Sequence, residues 1–370
     1  MGMPLDPFFA DRLRVHRRHL RDKAVSAMRA RLTTMLPFGR AAVPAAAERP
    51  PADGVSEQLD RAHGASPRPG PRARARAKKR AAAVAWDRRE LKTVGVRGPG
   101  IPITEHEVEV EGLPALRVRI YHPPEQDGSL VPGCLAFYGG AFRIGGIDYP
   151  TTDAGYRRRA ADSGVAIVAV DYALAPEHQY PTQVEQAHAA LVWLFRHATS
   201  LGINPDRIGI LGTSAGGNIA AALTLVNRDR TGLPLRLQVL EVPVVDLTGA
   251  HIDFAPTRAL GIPSFIARRE LRSVVKTYLP RARMAREPYA SPLLAESHEG
   301  LPPAVILTAE YDPLRGEGAA YAAALRRSGV EASAVQYLGV THDTPIFAGV
   351  LPAARRWHTD VVTALRLLHG

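Results

Sequence analysis

The sequence predicts an α/β protein built on a mostly parallel, doubly wound sheet, and three observations carry that prediction. From about residue 100 onward, short Val-, Ile- and Leu-rich runs alternate with longer segments of helical period. Most of these runs are apolar almost throughout, as strands covered on both faces are. The alternation repeats often enough to make several strand–helix–strand units, whose loops gather at the carboxyl edge of the sheet.

Before that region, residues Leu5 to Met35 read as a helix, with Asp6 as N-cap and Pro7 as first helical residue. Its apolar stripe of Phe9, Leu13, Leu20, Ala24, Met28 and Leu32 lies on an arginine-rich rod, suited to packing on the main domain or, as the alternative, to a membrane surface. Residues 41–100 are predicted to be a basic, Ala/Pro/Arg-rich flexible linker, most clearly from Ala41 to Arg80, where no periodicity offers a buried face. The formal charge of +11 is confined to this end of the chain. Residues 1–100 hold 22 basic and 9 acidic side chains, a net of +13, whereas residues 101–370 hold 25 and 27, a net of −2. The densest run, Pro67 to Arg80, has no aromatics interleaved for base stacking, so a solvated linker is preferred to a nucleic-acid contact.

In the catalytic-sized remainder, 101–370, HEVEVEG and LRVRIY read as two exposed-edge strands. CLAFY (134–138), VAIVAVDY (165–172), RIGILG (207–212), LQVLEVPVV (237–245), AVILTA (304–309) and ASAVQYL (332–338) follow as core strands. Helical stretches are predicted at Val184–Ala198, Ala215–Asn227, Gly316–Ser328 and Pro352–Leu368. The segment Asp246 to Pro288 is too long for one crossover and reads as a cap insertion. No apolar run is long enough to cross a bilayer and no signal-peptide pattern opens the chain, so a cytoplasmic address is the expectation. The single cysteine, Cys134, excludes an intrachain disulfide and leaves no thiol cluster for zinc; no cofactor or metal is expected.

The strongest local signal is Gly212-Thr213-Ser214-Ala215-Gly216-Gly217, directly after a strand and directly before a helix. That is the setting of a nucleophile elbow, in which glycines two before and two after the serine permit the tight turn that exposes its hydroxyl. A serine needs a base and an orienting carboxylate, and in this fold they follow in the order Ser, acid, His. Asp312, past the strand AVILTA, and His342, past ASAVQYL, meet that requirement at the same sheet edge. His178 and Asp246 are the rival base and acid. Gly140 and Ala141, in the small-residue turn after CLAF, together with the amide of Ala215, are the candidates for oxyanion donors. Tyr138, Phe142 and Ile346 are the candidate pocket residues.

With these residues in place, the chain resembles the bacterial hormone-sensitive-lipase-like esterases (family IV) of the α/β-hydrolase superfamily. The resemblance rests on YGGAF, DYALAPEHQYP (171–181), GINPDRIGILGTSAGGN (202–218), SPLL (291–294) and LPPAVILTAEYDPLRGEG (301–318). It implies an α/β-hydrolase fold and cofactor-free hydrolysis of short- to medium-chain acyl esters through an acyl-enzyme. It also implies that residues 1–40, which begin MPLDPFF after the first two residues, form a cap helix over the site. The partner expected is a small-molecule ester, without nucleic acid, and a homodimer is left open. An acyl amidase or peptidase, or a ligand-binding protein on the same scaffold, are the alternatives. Three departures stand out: Tyr138 and Ala141 in place of the family's His and third Gly, Thr213 in the elbow, and Asp343-Thr344 after His342 where Gly-Phe is common.

Overall fold

The computed structural model describes residues 2–15, 17–18, 70–124 and 128–370. By contact the chain divides into two units, one of Met1–Phe9 with Arg80–Gly370 and the other of Ala10–Lys79.

The large unit is an eight-stranded sheet in the order β1-β2-β4-β3-β5-β6-β7-β8. The strands are β1 (Ile103–Val108), β2 (Leu116–Tyr121), β3 (Val131–Phe137), β4 (Ala166–Asp171), β5 (Ile203–Thr213), β6 (Leu235–Glu241), β7 (Ala304–Tyr311) and β8 (Ala332–Thr341). β2 runs antiparallel to both β1 and β4, and every other pairing is parallel. β3 and β4 are buried almost end to end, which is the outcome of helices covering both faces. LRVRIY differs from expectation: it is not an exposed edge but the second strand, buried at Leu116, Val118, Ile120 and Tyr121 and paired on both sides. Of these two, β1 alone takes an edge, its run ITEHEV having too few apolar side chains to be covered.

Helix α1 covers residues 7–15, with the Asp6 carboxylate accepting the Phe8 amide at 2.9 Å, as an N-cap should. The predicted continuation to Met35, with Leu20, Ala24, Met28 and Leu32, lies outside the described residues, as does most of the predicted linker. Helix α2, Pro71–Thr93, occupies part of the segment where the sequence predicts a linker. The basic run is helical because Ala and Arg are among the strongest helix formers and Pro71 sits at the first turn, where a missing amide hydrogen is harmless. Within the large unit the helix buries Asp87 and Glu90 and anchors Arg80 on the Arg143 and Ala175 carbonyls and on Glu177.

The other α-helices among the described residues are α3 (Pro150–Ser163), α4 (Thr182–His197), α5 (Ala215–Arg230), the short α6 (Ala255–Ala259), α7 (Ser264–Tyr278), α8 (Arg315–Arg327) and α9 (Pro352–Arg366). α3 packs with α9, and α4 with α5. α3 escaped the sequence reading, since YRRRAADS carries three arginines and little apolar period. Segment 246–288 holds α6, α7 and the short 3-10 turn Ala282–Arg286. Its Tyr278 lies flat on Phe142, ring centroids 3.7 Å apart. Cys134 is buried in β3. Among the described residues no helix is long and apolar enough to cross a membrane.

Candidate active site

The site begins at the end of β5. Ser214 sits at φ 55°, ψ −114°, a conformation that a non-glycine residue adopts only when its surroundings hold it there. Two glycines make the turn feasible. A Cβ on Gly212 would lie 2.2 Å from the Gly216 carbonyl oxygen, and one on Gly216 would lie 2.2 Å from that of Phe137. Strand, serine and helix therefore approach as closely as backbone allows, and the hydroxyl is left at the N-terminus of α5.

Asp312 and His342 follow the last residues of β7 and β8, whose register brings Tyr311 beside Thr341. The His342 Nε2 is 3.0 Å from the Ser214 Oγ, and its Nδ1 is 2.7 Å from the Asp312 Oδ2. The second oxygen of Asp312 accepts the Leu314 amide at 2.9 Å, and the carboxylate is almost fully buried. Burial disfavours the His342 imidazolium, yet the Asp312 charge, its hydrogen bond and the more distant Asp343 prevail and raise the ring to about 9. The rivals lie elsewhere. Asp246 binds His251 at 2.8 Å and the Thr248 amide, and the backbone amide of His178 closes a turn on Leu174.

Tyr138, Gly140, Ala141, Ser214, His342 and Ile346 all line one cavity of about 410 Å³. Among the described residues no acceptor engages the amides of Gly140, Ala141 or Ala215. Gly140 has φ 142°, and a Cβ there would meet the Ile144 carbonyl oxygen at 2.0 Å; Ala141 tolerates φ 53° at the usual cost of a left-handed alanine. Tyr138 holds this turn: its hydroxyl donates to the Tyr172 carbonyl at 3.1 Å, Tyr172 returns a bond to the Tyr138 carbonyl at 2.8 Å, and the rings stack. Phe142 does not belong with the pocket residues. It is fully buried and stacked on Tyr278, and it is not among the residues that line the cavity.

The sequence reading missed a group behind the elbow. Glu241, at the end of β6 and fully buried, accepts Thr213 Oγ1 at 2.9 Å, Trp357 Nε1 at 2.7 Å and the Arg159 guanidinium at 2.7 Å. It also missed Glu317, fully buried, which accepts the Val245 and Asp246 amides and whose carboxyl burial pushes up to about 8. The EG of RGEG was the available signal for the second; nothing local marked the first. The wall of the cavity given by Ala83, Trp86 and Asp87 comes from α2.

Comparison with known proteins agrees with this architecture. A family model described as the alpha/beta hydrolase fold matches residues 134–346. Carboxylesterase NlhH of Mycobacterium tuberculosis is 36% identical over 286 residues, which cover 76% of this chain and 88% of that protein. An arylesterase of Saccharolobus solfataricus is 38% identical over 233 residues, 61% of this chain and 72% of its own. Among solved structures, EstE1, a thermostable carboxylesterase cloned from a metagenomic library, superposes with a TM-score of 0.71 at 35% identity, covering 79% of this chain and 97% of that one. The chain belongs to the α/β-hydrolase fold family, in its hormone-sensitive-lipase-like branch of carboxylesterases.

Proposed function

We propose that this carboxylesterase hydrolyses short- to medium-chain acyl esters by way of an acyl-enzyme on Ser214. Ser214 Oγ attacks the ester carbonyl while neutral His342 takes its proton through Nε2, and Asp312 steadies the imidazolium so formed. The amides of Gly140, Ala141 and Ala215 face the oxygen that gains charge. His342 returns the proton to the departing alcohol. Water, activated by the same ring, then breaks the acyl–serine bond and releases the carboxylic acid.

The observation that carries this reading is the pair of distances, 3.0 Å from base to serine and 2.7 Å from base to acid, with the serine held in a strained turn. The cavity volume of about 410 Å³ suits a substrate of modest size. The test is Ser214→Ala assayed on p-nitrophenyl butyrate: turnover should fall about 10⁵-fold, and labelling by a fluorophosphonate should vanish with it. A variant that keeps its turnover and its label would remove Ser214 from the mechanism.

A further inference from the structure

We propose that Arg158 makes this site a reader of esters that carry a free carboxylate on the acyl chain, an inference that rests on the esterase reading above. Arg158 lies on α3 and lines the same cavity as Ser214 and His342. Its Nε is buried without a hydrogen-bond partner, and among the described residues no carboxylate forms an ion pair with it. The guanidinium next to it in sequence has a counter-charge, since Arg159 Nη2 pairs with Glu241, although the Arg159 Nε is likewise buried without a partner. Arg159 therefore adds positive charge beside Arg158 and relieves none.

The acids near Arg158 are otherwise committed. Asp162 acts on it only from a distance, and its carboxylate accepts His358 Nε2 at 2.7 Å. Asp87, on the same cavity wall, gives one oxygen to the Thr151 amide at 2.9 Å and the other to the Thr151 hydroxyl. Asp343 lies beside His342, whose protonated form it favours. Burial and the Arg159 charge both press on the Arg158 cation and lower its pKa, so a counter-ion is what the cavity lacks.

A carboxylate supplies it, because its two oxygens match the guanidinium fork. The cavity that Ser214 and Arg158 share is also lined by Ala83, Trp86, Ile144 and Ile346, which favour a hydrocarbon spacer. The substrate class that fits is therefore a half-ester of a dicarboxylic acid. Its carbonyl carbon forms the bond to Ser214 Oγ, its alcohol leaves with the proton from His342, and water then releases the dicarboxylate. No co-reactant besides water is needed.

The experiment compares the ethyl half-esters of succinate through suberate with ethyl esters of monocarboxylic acids of the same carbon number, by acid release at constant pH. At one or more lengths the wild type should favour the half-ester by about tenfold or more in kcat/KM. Arg158→Met should collapse that ratio, which a general loss of activity does not move. Arg158→Lys, which keeps the charge and loses the fork, should raise KM for the half-ester alone and decides the matter if the Met variant does not fold. A wild type with no preference at any length, or variants that keep the preference, would overturn the assignment while leaving the esterase standing. Hydrolysis of neither series would take the esterase reading down as well.

Discussion

His342 is the residue on which opposing influences meet. Burial disfavours its cation, while Asp312 in contact and Asp343 next in sequence favour it strongly enough to raise the ring to about 9. A base must be neutral to take a proton, so kcat/KM should climb with pH towards that value. Asp343→Asn removes one of the charges that hold the proton, and the rising limb should move to lower pH, which a pH-rate profile on a neutral ester measures directly. The same shift acts on stability with a definite sign. A ring raised from 6.5 to about 9 contributes fully below pH 6.5, and that contribution is lost as pH climbs through 9. The meeting of Ser214, Asp312 and His342 was legible in the sequence because each follows an apolar strand run that marks its place. The packing of Phe142 was not, since its ring stacks on Tyr278, far away in the sequence.

At the scale of elements, the elbow is a close approach of β3, β5 and α5, and glycine is its condition. Gly216→Ala drives a methyl onto the Phe137 and Tyr138 carbonyls, backbone that cannot step aside, and should cost roughly 3 kcal/mol in urea unfolding along with most of the activity. Behind it, Glu241 joins β6 to α3, α9 and the elbow threonine through Arg159, Trp357 and Thr213. Glu241→Leu leaves Arg159 buried without its counter-charge, and the expected loss is about 3–5 kcal/mol, read from the urea midpoint at unchanged slope. These partners lie 82 and 116 residues away from the glutamate, so no window of sequence could have joined them. α2 was hidden for the opposite reason. Its signal was entirely local, in the helix propensity of Ala and Arg, but the density of charge pointed to a solvated linker.

Across the whole molecule, the strand order was legible as a class, because apolar runs alternate with helices, and β2 was misplaced, because polar Arg117 and Arg119 made a paired strand resemble an edge. What no alternation foretold is the union of residues 3–9 with the last two strands and the turn that follows them. The Met3 amide donates to Glu310 at 2.9 Å, the other Glu310 oxygen accepts Gly339, Tyr311 donates to the Met3 carbonyl, and Asp6 donates to the Gly339 carbonyl. Phe8 and Phe9 then pack on Phe347, a few residues past His342. Phe9→Ala should therefore cost about 3 kcal/mol and lower kcat more than it raises KM, as the loops carrying acid and base loosen together; circular dichroism melts and steady-state kinetics on one preparation test both halves. For a chain made from one end to the other, that clasp has a temporal meaning. Met3 must wait for some three hundred other residues before its partners Glu310 and Tyr311 exist, so a ribosome-held fragment ending before Glu310 has neither base nor clasp, and the onset of turnover times the arrival of His342.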